Sequence, residues 1–239
     1  MKILVIGAGP VGAVTASVFS KIAHVTCVEK DEARLAVLHK GEYPFYEPGL
    51  ADLKDGPSFD GSLRFTQMPQ LESLTYDLIF LCVGTPSLPS GDADLSALLS
   101  AVEELCVHNI KGTVVVKSTV PPWASFSVRG ILHEYHREDI EVLSNPEFLR
   151  EGQALRDMLT PDRVVIGAPD TTSVAVQKLV SLYRQVVVYA FTYMGHRTVP
   201  EIILMGQTSA EITKYASNVF LAMKISFANL IARVCEASN

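Results

Sequence analysis

Three small groups of residues have the types and spacing that chemistry needs. Gly7-Ala8-Gly9-Pro10-Val11-Gly12 follows a short apolar run, and Glu29 stands 22 residues beyond Gly7. Glycines in this pattern let a strand turn tightly into a helix, so that backbone amides and the positive helix end face a pyrophosphate. An acid at the end of the next strand can accept hydrogen bonds from ribose hydroxyls and repels a 2′-phosphate, which favours NAD over NADP. Pro10 removes one amide from the cradle but suits the first helical turn. On this segment alone FAD is an alternative. Glu147 and Glu151 stand four apart in "PEFLREG", either as acid–base carboxylates or as a capping acid beside a solvated one. Lys214 and Asn218, also four apart, share one face of a terminal helix. The plainer alternative is an amphipathic helix with a surface lysine.

The elements that must position these groups alternate between strand and helix. "KILVIG", "HVTCVEK", "YDLIFLCVGTP", "GTVVVKSTVPP", "IEVLSNPEF", "RVVIGAP" and "VVVYA" read as strands or strand-and-turn segments. "AVTASVFSKI", "DEARLAVLHKG" (from an Asp31 cap to Gly41), "DLSALLSAVEELCVHNI" (capped by Asp94) and "TSVAVQKLVSLYRQ" read as helices. "YPFYEPGL" is a loop with two prolines. Apolar strands alternating with helices predict an α/β fold, a Rossmann-like doubly wound parallel sheet followed by a long C-terminal connecting helix. "YMGHRTVPEI" breaks the pattern, and residues 209–239 form the terminal helix with an apolar stripe. The expected division is a dinucleotide-binding domain over residues 1–199 and a connector and dimerisation helix over 200–239.

The chain has 239 residues, with 20 Lys and Arg against 26 Asp and Glu, a net charge of −6. No basic cluster points to nucleic acid. No secretory leader is read at the start, and no apolar run is read as reaching transmembrane length, which points to a cytoplasmic protein away from membranes. Cys27, Cys82, Cys106 and Cys235 are scattered and read as reduced thiols. The six histidines show no metal-ligand spacing.

"YPFYEPGL", "VGTP", "ADLS", "KSTVPP", "SNPEFLREGQAL", "PDRVVIG" and "EITKYASNVFLAMKISFANLIA" occur in this order, and together they resemble the nucleotide-sugar dehydrogenases of the UDP-glucose/GDP-mannose dehydrogenase family. "FYEPGL" and "SNPEFLREG" are most similar to the UDP-glucose branch. The resemblance implies oxidation of UDP-glucose at C6 to UDP-glucuronate with two NAD, through an aldehyde and a cysteine thioester. It implies that Glu147 does acid–base chemistry, that Glu151 lies near nicotinamide and the catalytic water, and that Phe148 and Leu149 line the sugar. Lys214 would hold the developing alkoxide, Asn218 would hold water or the oxyanion, and Thr119 would lie near the water. Around the cofactor it implies Gly7, Gly9, Pro10, Val11, Gly12, Glu29, Arg34, Gly84, Thr85, Pro86, Ser118, Thr119 and Glu151. It also implies a homodimer through the long helix. The sequence departs from the family in one respect: it contains no "GGSCFPKD"-like loop, and neither Cys82 nor Cys235 has that loop's neighbours. The chain is therefore expected to be the front portion of such an enzyme, inactive alone, with a catalytically dead NAD-binding module or a dehydrogenase of GDP-mannose or UDP-N-acetylmannosamine as alternatives.

Overall fold

The computed structural model describes residues 1–53, 58–59, 61–71, 75–195 and 199–238. Part of the expected break at "YMGHRTVPEI", residues 196–198, and Asn239, the last residue of the expected terminal helix 209–239, lie outside them. In chain order the elements are β1 (Lys2–Ile6), α1 (Pro10–Phe19), β2 (His24–Val28), α2 (Glu32–His39), α3 (Leu50–Leu53), β3 (Ser62–Thr66), β4 (Thr75–Leu81), α4 (Ser96–Val107), β5 (Lys111–Val116), α5 (Ala124–Glu134), β6 (Val142–Ser144), α6 (Ala154–Leu159), β7 (Arg163–Gly167), α7 (Val174–Met194), β8 (Glu201–Met205) and α8 (Gln207–Ala237).

Among the described residues the strands form one sheet in the order β3-β2-β1-β4-β5-β6-β7-β8. All neighbours are parallel except β6 and β7, which meet antiparallel at Ser144 and Gly167. The chain starts at β1, builds outward through β2 and β3, then returns to β4 on the other side. That reversal between β1 and β4 opens the crevice where doubly wound sheets bind ligands.

Period-two alternation in the strands feeds two cores. Ile3, Val5, Leu78, Phe80 and Val115 point into the layer formed with α1, α6 and α7. Leu4, Ile6, Ile79, Leu81, Val114 and Val116 point into the layer formed with α4 and α5. Both faces are covered, so the strand sequences are continuously apolar rather than alternating with polar residues.

Three expectations need correction. "VVVYA" is not a strand: Val186, Val187, Tyr189 and Ala190 are buried positions of α7, where packing overrides the β preference of three valines. Residues 201–205, expected in the connector, form β8 and pair with β7 in parallel. The reading that no segment reaches membrane-spanning length also fails, because by length and composition alone α8 is long and apolar enough to cross one. Polar residues interrupt it in sequence but cluster on faces of the helix, so an uninterrupted apolar run was the wrong test. Its first turns pack into the protein, with Gln207, Ala210, Glu211 and Lys214 buried.

The Asp31 cap is present and accepts the Arg34 amide. Leu95 is the residue that precedes α4, and Asp94 accepts the amide of Ser96 from one position earlier. α3, β3, α5 and α6 are further elements the sequence reading did not assign.

Candidate functional site

The glycine turn sits at the C-terminal end of β1. Gly7 has φ +96°, and a Cβ there would fall 2.8 Å from the Cys82 carbonyl oxygen. At Gly12 a Cβ would fall 1.8 Å from the Gly7 carbonyl oxygen. The protein's own packing therefore demands both glycines. Gly9 differs, because a Cβ there would meet nothing within 4 Å, so the chain's own packing does not demand that glycine. Pro10 occupies the first helical turn. The first helical bond runs from the Ala13 amide to the Gly9 carbonyl at 2.8 Å, which leaves the Val11 and Gly12 amides to an outside acceptor. These features fit a dinucleotide pyrophosphate.

Glu29 is buried at the end of β2. Its carboxylate accepts the Ala8 amide at 3.1 Å and the Asp31 amide at 2.9 Å. It thus ties the glycine turn to the start of α2 and keeps lone pairs for two hydroxyls. Arg34 stands exposed on the first turn of α2, so no contact fixes its side chain towards Glu29.

The ends of β4 and β5 are braced against each other. The Thr85 hydroxyl donates to the Thr119 carbonyl at 2.6 Å, and the Ser118 hydroxyl donates to the Val83 carbonyl at 2.7 Å. Both expected cofactor residues therefore spend their donors on the loops that rim the crevice. Pro86 accepts the Asp94 amide at 2.7 Å, while Gly84 is exposed with open space where a Cβ would be.

Beyond these loops lies a cavity of about 680 Å³, lined among others by Glu147, Phe148, Leu149, Lys214 and Asn218. Glu147 Oε1 is 2.8 Å from Lys214 Nζ, and both side chains are nearly inaccessible, at 10% and 8% exposure. The Thr119 hydroxyl donates to the same oxygen at 3.3 Å, and Oε2 accepts the Leu149 amide at 2.6 Å. The Phe148 ring lies between the Arg163 guanidinium at 4.6 Å and Lys214 Nζ at 5.4 Å.

The geometry thus brings together Thr119, Glu147, Phe148, Leu149, Lys214 and Asn218. Glu151 does not join them; it is exposed and lies outside the cavity lining. Four-residue spacing puts two side chains on one face only in a helix. Residues 145–150 are irregular, and Gly152, at φ +75°, turns the chain after Glu151.

Lys214 is placed by the start of α8. Gln207 Nε2 donates to the Val142 carbonyl at 2.9 Å. Glu211 accepts the Trp123 amide at 2.7 Å and the Ser125 amide at 3.0 Å, capping the N-terminus of α5. Gly167 lets the helix approach β7, since a Cβ there would lie 2.6 Å from that of Ala210. Glu47, inside the "YPFYEPGL" loop, accepts the Leu155 amide at 3.1 Å and so fixes that loop on α6.

Sequence reasoning missed a buried triad in the cavity wall. Lys117 Nζ donates to Asn145 Oδ1 at 3.3 Å and to the Tyr183 hydroxyl at 3.2 Å, while that hydroxyl donates to Asn145 Oδ1 at 2.6 Å. Lys117 and Asn145 stand in the quoted motifs "KSTVPP" and "SNPEFLREGQAL", so their signal was present; Tyr183, on α7, gave none. None of the four cysteines lines the cavity. Burial, with a smaller push from Glu147, drives the Cys82 thiol up to about 12 despite the opposing pull of Lys117. Cys27 is also raised by burial.

Comparisons with known proteins bear on the family and the fold. Residues 1–187 match the NAD binding domain of the UDP-glucose/GDP-mannose dehydrogenase family, and residues 208–239 match its central domain. A UDP-glucose 6-dehydrogenase of Rhizobium meliloti is 40% identical over 241 residues, covering 99% of this chain and 53% of the relative. One from Pseudomonas aeruginosa is 40% identical over 246 residues, covering 100% and 52%. Among solved structures, a UDP-glucose dehydrogenase from Pyrobaculum islandicum superimposes with a TM-score of 0.80 at 36% identity, over 96% of this chain and 52% of that one. A GDP-mannose dehydrogenase from Pseudomonas aeruginosa, solved as a ternary complex, gives 0.81 at 32% identity with the same coverage. The chain spans about half the length of the curated relatives it matches.

Proposed function

Because the chain belongs to the UDP-glucose/GDP-mannose dehydrogenase family, we propose that it serves the NAD-dependent oxidation of UDP-glucose at C6 to UDP-glucuronate. The observation that carries this reading is the buried pair of Glu147 Oε1 and Lys214 Nζ at 2.8 Å, beside a crevice whose glycine turn fits a dinucleotide. NAD, when bound, supplies the hydride acceptor. In this reading the Val11 and Gly12 amides hold its pyrophosphate and Glu29 its ribose. Glu147 Oε1 takes the alcohol proton, and the Lys214 ammonium holds the charge that develops on the oxygen. Thr119 and Asn218 orient water, and Leu149 fixes the carboxylate. The domain division moves to follow Met205, because β8 belongs to the sheet. The apolar side chains from Val219 to Val234, more than half exposed at most positions, would pack against a second copy. Four free cysteines suit the cytoplasm.

A second reading, a binding module without the full reaction, draws on the absence of any cysteine from the cavity lining. Nucleotide-sugar titrations of the chain, saturated with NADH and followed by NMR at the Leu149 amide, test the substrate. UDP-glucose is expected to shift it most. An equal or larger response to GDP-mannose or UDP-N-acetylmannosamine overturns that choice. Sustained UDP-glucuronate production by the purified chain with NAD excludes the binding-module reading.

A further inference from the structure

The cavity wall holds a cation that the reaction above leaves unused. Lys117 is 2% exposed at the end of β5. Its two hydrogen-bond acceptors, Asn145 and Tyr183, are neutral, and among the described residues no carboxylate pairs with it. Lys214, on α8, has Glu147 as its partner. A buried ammonium without a counter-ion is costly, and burial lowers a lysine's pKa. The pKa of Lys117 nevertheless lies above the ordinary lysine value: burial lowers it, and its interaction with Tyr183, with a smaller pull from Glu147, raises it. The cage is fixed, because Asn145 Nδ2 also donates to the Val165 carbonyl at 2.9 Å. Lys117 thus stands as a second buried lysine of the cavity wall, beside the Glu147–Lys214 pair.

That location matters for a dinucleotide. Laid across the crevice between β1 and β4, its second half comes to these strand ends. The end of β4 links the two places: the Cys82 Cβ lies 3.0 Å from where a Gly12 Cβ would be, and the Lys117 amide donates to the carbonyl of the preceding residue, Leu81, at 3.0 Å.

We propose that Lys117 is a positioning residue for the redox state of the cofactor: its fixed charge favours the neutral, reduced nicotinamide over the cationic, oxidised one. The inference rests on the dehydrogenase reading. In that reaction the C6–H bond breaks with its electron pair passing to the nicotinamide, the O–H proton leaves to Glu147, and a cationic ring becomes neutral. A nearby buried positive charge makes this step more favourable.

The test is equilibrium titration of the 239-residue chain with NAD and with NADH, separately, for the unaltered protein, Lys117→Met and Lys117→Arg. The unaltered chain is expected to bind NADH more tightly. The ratio of the two Kd values is expected to fall by about fivefold or more in Lys117→Met and to be largely kept in Lys117→Arg. Loss of packing alone weakens both ligands together and leaves the ratio in place, so the ratio reads the charge. An unchanged ratio in Lys117→Met overturns the inference. A preference for NAD in the unaltered chain overturns it too, even if the variant fails to fold. Binding of neither form would instead overturn the dehydrogenase reading on which it rests.

Discussion

The glycine cradle is made of backbone and closes within the first 29 residues, with one contact from Cys82; the cavity is made of side chains drawn from β5, the 145–149 segment and α8. The cradle is held by steric exclusion, since Gly7 and Gly12 leave no room for a Cβ. The cavity is held by charge, through the Glu147–Lys214 pair and the Lys117 cage. A phosphate site made of backbone tolerates little change in shape, whereas a charged cavity tolerates shape changes but not loss of balance.

The contrast is broken most severely at Gly12. Gly12→Val drives a side chain into the Gly7 carbonyl, with no flexible atom to yield. We expect a loss of about 4 kcal/mol or more in urea denaturation; a variant within about 1 kcal/mol of the parent would show that the turn is not sterically locked.

Next in size is the ion pair. Lys214→Met strands a buried carboxylate and is expected to cost about 3 kcal/mol. Adding Glu147→Gln removes that burden, so the double variant should be more stable than the single one. Strictly additive losses in the same denaturation series would mean that the two side chains do not act as a unit.

These two regions also differ in how legible they were in the sequence. Gly7 to Gly12 and Glu29 act through local geometry that a short motif encodes, so the cradle was readable residue by residue. Lys214 and Glu147 were each singled out by a motif, but their pairing was not, because an ion pair between positions 147 and 214 depends on how α8 docks. Glu151 was named for the site only through the resemblance, and it stands exposed on an irregular segment outside the cavity lining. Of the fold, the parallel sheet was legible from continuous apolar strands. β8 and the valines of α7 were not, since packing decides both.

A smaller effect sharpens the cavity side. Burial holds Cys82 protonated, so iodoacetamide at pH 8 should label exposed Cys235 at least about tenfold faster, read by peptide mass spectrometry. Comparable labelling of Cys82 would reopen it as a nucleophile.

The smallest effect is expected at the cavity rim, where Arg150 and Asp157 make a bidentate pair, at 2.6 and 3.0 Å. Burial raises the Asp157 carboxyl, but the hydrogen bonds from Arg150 outweigh it and hold it below its ordinary value. A depressed carboxylate stabilises the fold above its ordinary range, and that contribution is lost as pH falls through the lowered value. Arg150 is largely exposed, so Asp157→Asn should cost under about 1 kcal/mol at pH 7 and nothing at strongly acid pH. A loss that persists in acid would point to packing instead.

The central claim, that the cradle holds NAD, is tested most directly by calorimetric titration of the chain and its Gly9→Ala variant with NAD. The added methyl meets no protein atom, so thermal stability should be retained. It occupies space assigned to the pyrophosphate, so affinity should fall at least about tenfold, the scale of a lost charge-assisted contact. Saturable binding in the parent with that loss in the variant is the predicted result. Equal affinities, or no binding by the parent, would contradict it.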